Sequence, residues 1–122
     1  MSGTLIHHGH IRLLKKAYKL GDVFVALTSD KQIKKYKGYQ PELNFSQRKE
    51  ILISIRYVKK VIKSNWLIDE SFLKKNNISL LIHGNDNSNK IKKTKLKVFK
   101  RTKGISSNLI RRKACKILKK TI

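Results

Sequence analysis

The chain has 122 residues, 39% of them hydrophobic, which is enough for one domain with one core. Thirty lysines and arginines against seven acids give a net charge of +23, which attracts polyanions such as nucleotides, nucleic acid or anionic lipid. A lysine-rich compositional bias on the solvent-facing surface is the simpler explanation of the excess. The single cysteine, Cys115, excludes an internal disulfide and a cysteine-rich zinc site, and the lack of a long apolar run or an apolar secretory signal predicts a cytoplasmic protein without a transmembrane segment.

The first half of the chain predicts a helix, a buried strand, a loop and a second helix. Residues 11–20 place their apolar side chains on one helical face, and residues 22–29 contain a continuous apolar run typical of a buried parallel strand. Residues 31–43 are basic and aromatic and are predicted to form a loop. A helix over residues 44–56 follows, and its first residue, an asparagine, matches the glutamine three positions later in a capping box.

The second half continues the alternation. In chain order it predicts a strand over 58–62, a short helix over 69–75, a buried strand over 79–83, a polar loop over 85–94, an edge strand over 95–101 and a last helix from about Ser106. Alternating helices and strands favour an α/β domain with a parallel sheet and right-handed crossovers. We find no internal repeat and no linker, so residues 1–122 are predicted to form a single domain.

A histidine motif opens the first helix. His7 and His10 are three residues apart, so both rings fall on one face, and Gly9 between them lets a ligand approach the backbone. A helix N-terminus favours anions, and two imidazoles there can donate hydrogen bonds to a phosphate and stabilise charge on a leaving pyrophosphate. On spacing alone, an accidental histidine cluster or a weak metal site remains an alternative.

A second segment with phosphate-binding groups precedes the last helix. Arg101 offers a forked donor, Gly104 permits a tight turn, and Ser106 and Ser107 supply hydroxyls at a helix start. Taken alone, this segment is better explained as an ordinary capped helix after a basic strand.

Two further residues are candidates for ligand contacts. Lys37 lies in the predicted loop, where it can close over a phosphate or remain one more solvated charge. Asp86 follows a predicted strand end, the place where ligands of open α/β sheets collect, but a turn aspartate explains it as well.

Shorter segments join the two motifs in a fixed order. They are Ser29-Asp30, Lys37-Gly38, residues 48–52, Arg56-Tyr57-Val58, Asn65-Trp66 and Gly84-Asn85-Asp86. With these segments nearly the whole chain resembles the cytidylyltransferase-like family, and within it the glycerol-3-phosphate cytidylyltransferases. The combination is specific for the family, though not for the acceptor.

The resemblance implies a Rossmann-like parallel sheet flanked by helices, which binds CTP or a related nucleotide with Mg²⁺ and has no metal ligand assigned to the protein. It also implies transfer of CMP from CTP to a small phosphorylated alcohol, similar to glycerol 3-phosphate, with release of pyrophosphate. The acceptor's phosphate attacks in line without a general base, so catalysis consists of positioning and charge stabilisation. Family members often form homodimers.

Residue roles carried over from the resemblance fall into two groups. Catalytic roles are implied for four residues, His7, His10, Lys37 and Arg56, of which the last would hold the acceptor or the reacting phosphate. Nucleotide-binding roles are implied for Gly3, Thr4, Gly9, Asp86, Arg101, Thr102, Gly104, Ile105, Ser106 and Ser107.

The chain also departs from the family pattern. Only two residues precede its Gly-Thr pair, so the family's first apolar strand is absent, and so is the Phe-Asp pair. Lys59 and Asn85 stand where the family has acids, and Asn87 stands where an aromatic residue is common. The expected domain is therefore truncated at its N-terminus relative to the family. The chain is either a fragment of an active enzyme or a degenerate relative.

A catalytically inactive basic relative is the alternative function. Such a protein would bind nucleic acid or other polyanions through charge alone, without specificity, because no recognised nucleic-acid motif is present. The last helix supports it with Arg111, Arg112, Lys113, Lys116, Lys119 and Lys120.

Overall fold

Helices and strands alternate along the chain as the sequence predicts, except that two helices follow each other between the first two strands. The structure is a computed structural model that describes residues 1–84 and 88–121. Its elements are α1 (His8–Tyr18), β1 (Phe24–Thr28), α2 (Asp30–Lys37), α3 (Phe45–Ile53), β2 (Lys60–Ser64), α4 (Glu70–Lys75), β3 (Leu81–Gly84), a 3₁₀ turn (Lys93–Lys95), β4 (Leu96–Phe99) and α5 (Ser107–Thr121). None of the helices in this described part combines the length and apolar character needed to cross a bilayer.

The four described strands form two parallel pairs. β1 pairs with β2 over five residues, from Phe24 opposite Lys60 to Thr28 opposite Ser64. β3 pairs with β4 over four residues. The predicted α/β class and parallel strand direction are therefore confirmed, but the ladder is divided into two two-stranded pieces.

The start of the chain lies against β1 without forming a strand of its own. The amino group of Met1 donates to the Ala26 carbonyl oxygen at 2.7 Å, and the Thr28 amide donates to the Met1 carbonyl oxygen at 2.9 Å. The first helical residue is His8. These bonds fix the start of the chain at the carboxyl end of β1, and the histidine motif follows a few residues later.

The core lies between β1, β2 and the helices that pack on them. Its buried residues are Leu14, Ala17, Val23, Val25, Leu27, Leu52, Val58 and Val61. Leu27 and Leu52 have no exposed surface, and truncating such a side chain to alanine typically costs about 2–5 kcal/mol of stability. Ile82 of β3 packs against the same cluster, which joins the second strand pair to the first.

Side chains cap α3 as the sequence predicts. Asn44 accepts a hydrogen bond from the Gln47 amide at 2.9 Å, and the Gln47 side chain accepts one from the Asn44 amide at 3.0 Å. This capping box satisfies two amides that the helix itself leaves without partners. The helix ends at Ile53, three residues before the predicted end.

The prediction of a loop over residues 31–43 is wrong in its first half, because residues Asp30–Lys37 form α2. The Ser29 hydroxyl caps this helix by accepting from the Gln32 amide at 3.3 Å, and Ile33 is completely buried beneath it. Gly38 ends it in the left-handed conformation, with φ of 79°. The helical pattern was hidden because only one of its eight residues is an anchoring aliphatic side chain. Lys37 is thus the last residue of a helix and does not lie in a loop.

Candidate functional site

The first turn of α1 carries two imidazole rings in fixed orientations. His7 is the N-cap, and its Nδ1 accepts from the Gly9 amide at 3.1 Å. The Nδ1 of His10 accepts from the His7 amide at 3.2 Å, and the two ring centroids are 4.0 Å apart. Since both Nδ1 atoms act as acceptors, each neutral ring carries its proton on Nε2. The motif therefore offers two N–H donors at a helix N-terminus.

Both rings are held in the neutral form. Desolvation by burial, together with the charges of His7, the amino terminus, Arg101 and Lys37, lowers the pKa of His10 from 6.5 to about 4. Burial, followed by His8 and Arg101, also lowers the pKa of His7. The charged neighbours responsible are all basic, so the site has the electrostatic character of an anion site. At neutral pH the rings are donors whose charge is constant.

Gly9 is required by the histidine geometry itself. A Cβ at this position would lie 2.8 Å from Cε1 and 2.9 Å from Nδ1 of the His7 ring. Any side chain would displace that ring from the hydrogen bond that orients it. The same position would meet Ile105 Cγ2 at 3.4 Å, so the predicted C-terminal segment lies directly against the histidine motif.

The C-terminal segment closes the site from the other end of the chain. The Ser107 hydroxyl donates to the Leu5 carbonyl oxygen at 3.1 Å. The Ser106 hydroxyl accepts from the Leu109 amide at 3.1 Å and caps the start of α5, and Gly104 makes the preceding turn with φ of 77°. The N-termini of α1 and α5 therefore lie near each other, and both favour anions.

Lys37 reaches the site from α2. Its Nζ donates to the Ser2 hydroxyl at 3.4 Å and lies 5.9 Å from the centroid of the Trp66 ring. Trp66 also stacks on Tyr36, with the centroids 5.5 Å apart. The structure thus brings the Lys37 charge near His10, and it places an aromatic pair beside this lysine.

Arg48 is a structural residue that the sequence analysis did not find. It is completely buried within α3 and donates to the carbonyl oxygens of Ser2, Thr28 and Leu43 at 2.6, 2.9 and 3.1 Å. Its guanidinium also pairs with Asp30 at 2.6 Å. A buried arginine does not contribute to the apolar periodicity of a helix, and only the scarcity of acids in the chain hints at the importance of Asp30.

Arg111 is a second unpredicted contact of the site. From α5 it donates to the Thr4 hydroxyl at 2.9 Å and to Glu42 at 2.8 Å, and it lies over the Tyr39 ring at 5.0 Å. The hydrogen bonds that the Glu42 carboxylate accepts from Arg111 raise the pKa of Arg111. Thr4, predicted to bind nucleotide, is buried by this contact, with 1% of its surface exposed.

The remaining predicted residues are not all brought together. Gly3 adopts φ of 56° and packs beneath the Leu27 side chain, and Thr102 is half-buried in the turn before α5. Arg56 is exposed and donates to the Tyr57 hydroxyl at 2.8 Å. It precedes the amino end of β2, whereas the histidines follow a segment bonded to the carboxyl end of β1. Asp86 lies outside the described residues.

No protein-held metal site is evident in residues 1–84 and 88–121, since they contain no group of three histidine, cysteine or acidic side chains suited to a metal ion. Two carboxylates near the site are already paired, Asp30 with Arg48 and Glu42 with Arg111. The described side chains do not fit a resident Mg²⁺, which prefers oxygen ligands.

Comparison with known proteins agrees with this geometry. A family model described as cytidylyltransferase-like matches residues 4–113. The glycerol-3-phosphate cytidylyltransferase of Staphylococcus aureus is 39% identical over 115 residues, covering 88% of this chain and 85% of that protein. The corresponding protein of Bacillus subtilis is 34% identical over 112 residues, with coverages of 88% and 87%.

More distant relatives show the breadth of the family. The ethanolamine-phosphate cytidylyltransferase of Arabidopsis thaliana is 31% identical over 83 residues, which is 66% of this chain and 20% of that protein. A solved lipopolysaccharide core biosynthesis protein from Thermoplasma volcanium has the same fold, with a TM-score of 0.63 at 17% identity, covering 96% of this chain and 83% of that one.

The Rossmann-like fold and the histidine site define a nucleotidyltransferase of the cytidylyltransferase type. Since the family model spans most of the chain and two relatives are matched over more than four fifths of their length, the protein belongs to the cytidylyltransferase-like family.

Proposed function

We propose that this chain, as a single domain, transfers CMP from CTP to the phosphate of a small phosphorylated alcohol of the glycerol 3-phosphate type and releases pyrophosphate. The observation that carries the proposal is the pair of neutral Nε2–H donors on α1, held beside Lys37 and Arg101. Such a site suits a polyphosphate whose charge shifts during reaction. The names of the two bacterial relatives support glycerol 3-phosphate as the first acceptor to test.

The reaction forms one bond and breaks one. An oxygen of the acceptor's phosphate attacks the α-phosphorus of CTP, and the bond from that phosphorus to the bridging oxygen breaks, so that pyrophosphate leaves with the electron pair. No side chain has to remove a proton, because the attacking phosphate is already an anion at neutral pH. The protein's contribution is to hold both reactants in line and to offset the developing charge.

Individual roles follow from position. His7 and His10 donate to phosphate oxygens, and Lys37 and Arg101 offset the triphosphate charge. The N-terminus of α5, with its capping Ser106, provides free amides for the nucleotide. The family likeness alone assigns nucleotide contacts to the other predicted residues, Gly3, Thr4, Gly9, Asp86, Thr102, Gly104, Ile105 and Ser107, and the acceptor to Arg56. The homodimer and the cytoplasmic location stay predictions.

Two measurements test the proposal. In a thermal-shift titration, CTP with Mg²⁺ should stabilise the protein more than ATP or tripolyphosphate at equal concentration, because a formed site recognises the base as well as the phosphates. Pyrophosphate release should require both CTP and glycerol 3-phosphate. Equal shifts for all three ligands, with no pyrophosphate from any phosphorylated alcohol, would instead indicate an inactive relative that binds anions by charge.

A further inference from the structure

Helix α5 extends from the site into solvent. Its first turn is held by the bond from Ser107 to Leu5 and by the bonds of Arg111 to Thr4 and Glu42. Beyond Arg111, every side chain from residue 112 to residue 120 is exposed. At about 1.5 Å per residue, this is a projecting rod of roughly two and a half turns.

The exposed part of α5 has two chemically distinct faces. One face carries the aliphatic side chains Ala114, Ile117 and Leu118, in line with the half-buried Ile110, and Ile117 and Leu118 are 62% and 57% exposed. The opposite face carries five cations, Arg112, Lys113, Lys116, Lys119 and Lys120, and is interrupted only by Leu109. At 100° per residue the two sets fall on opposite sides of the helix. No acid occurs in α5 or anywhere in the sequence after Asp86.

We propose that α5 binds the surface of an anionic lipid bilayer. The aliphatic face enters the boundary between headgroups and acyl chains, while the lysines and Arg112 remain at the level of the phosphates. A helix with exposed aliphatic side chains on one side and dense positive charge on the other meets both requirements of that interface. The inference is independent of the proposed reaction, since it uses residues beyond the turn that contributes to the site.

The two faces together favour lipid over other anionic partners. A nucleic acid would engage the basic face but leave Ile117 and Leu118 in water, and α5 contains no aromatic residue on which a base can stack. A second copy of the chain would cover the aliphatic strip, but four side chains on one helix offer much less than the roughly 1,200 Å² of a stable interface. Pairing two such helices would also bring their cationic flanks together.

Vesicle sedimentation provides the test. The full chain is mixed with vesicles of phosphatidylcholine alone or with phosphatidylglycerol added, and we expect binding only to the anionic vesicles. Replacing Lys113, Lys116, Lys119 and Lys120 by glutamine should weaken the partition coefficient about tenfold or more, because several charges act at one surface. The control should change the partition coefficient less than about threefold. It replaces by glutamine four exposed lysines outside α5, which are Lys74, Lys75, Lys92 and Lys93.

A second variant tests the aliphatic face at constant charge. Ile117→Ser with Leu118→Ser should weaken vesicle binding about threefold or more, because serine cannot enter the acyl boundary. Both positions are exposed, so the melting temperature of the variant serves as a check that the fold is retained.

Three results would overturn the proposal. Equal losses of vesicle binding for the α5 variant and the control variant would indicate that the net charge of the whole protein, and not α5, causes the binding. Full binding by the serine variant would indicate a purely electrostatic contact, which a single-stranded RNA oligomer should then reproduce. A dimer in sedimentation equilibrium that dissociates in the serine variant would show that the aliphatic face meets a second copy.

Discussion

Two backbone amides decide which nitrogen of each site histidine carries the proton. The amides of Gly9 and His7 donate to Nδ1 of His7 and His10, and the protons are thereby placed on Nε2. The same bonds close a capping box at the start of α1. These two hydrogen bonds therefore both cap the start of α1 and orient the Nε2–H donors. A substitution can be chosen that keeps the cap but removes a donor.

His10→Asn is that substitution. The asparagine Oδ1 can replace Nδ1 as acceptor, but the variant has no donor at the position of Nε2. We expect kcat for pyrophosphate release to fall about 10²- to 10³-fold, the usual loss for one donor to a transition state, with little change in melting temperature. His8→Asn on the same turn is the control, because His8 is exposed and should leave kcat unchanged. A His10→Asn protein within a few-fold of full activity would remove His10 from the chemistry.

The lowered pKa of His10 makes stability depend on pH in one direction. In the unfolded chain this ring binds a proton below pH 6.5, whereas in the folded protein it does so only near 4. Between these values the unfolded state holds more protons on this ring, so the contribution of His10 to the free energy of unfolding falls as pH decreases through the window and is constant above it. Urea unfolding measured at pH 7 and at pH 5 should show that the unmodified protein loses more unfolding free energy between these two pH values than His10→Asn does. Equal losses would contradict the assigned pKa.

At the scale of elements, Arg48 joins parts of the chain that no strand pairing connects. Its four hydrogen-bond partners lie on the N-terminal segment, at the end of β1, at the start of α2 and in the loop before α3. Arg48→Met should cost about 3–5 kcal/mol of unfolding free energy, because Asp30 and three carbonyl groups lose a buried partner. Lys49→Met, at the exposed neighbouring position, should cost little. Urea denaturation of the two variants measures this difference. Equal denaturation midpoints for Arg48→Met and Lys49→Met would refute the proposed stabilising role of Arg48.

Elements with a strong local signal were predictable from sequence. The apolar run of β1 and the capping box of α3 gave the correct element types within a few residues. The helix α2 was missed because six of its eight residues are polar and a seventh, Tyr36, is exposed. Ile33 is therefore the one buried aliphatic side chain that anchors the helix. Its stability comes from tertiary burial, which periodicity does not report.

The candidate site was predictable to the extent that motifs carry it. The histidine motif and the segment from Arg101 to Ser107 were found because glycine and hydroxyl residues have fixed roles at helix starts. Arg48 and Arg111 were missed because most of their partners are 18 to 107 residues away in sequence. Contacts of that kind depend on the packing of whole elements.

For the whole molecule, the divided sheet predicts unequal protection of its two halves. β1 contains the buried Val25 and Leu27, whereas every residue of β3 and β4 keeps some exposed surface. Opening β3 and β4 therefore disrupts less packing. Amide hydrogen exchange should be about tenfold or more faster for residues 81–84 than for residues 24–28. Uniform protection across both strand pairs would show that they open only together.

The bond between Ser107 and Leu5 joins groups 102 positions apart, and Arg111 reaches Thr4 across 107. During translation the histidine motif leaves the ribosome long before the residues that enclose it. Because the proposed nucleotide site needs both ends of the chain, we expect that a growing chain cannot hold nucleotide, however well its first helices have folded. Ribosome-bound chains arrested before Arg101 has emerged should fail to retain CTP. Binding of CTP would then indicate that synthesis has reached the C-terminal segment.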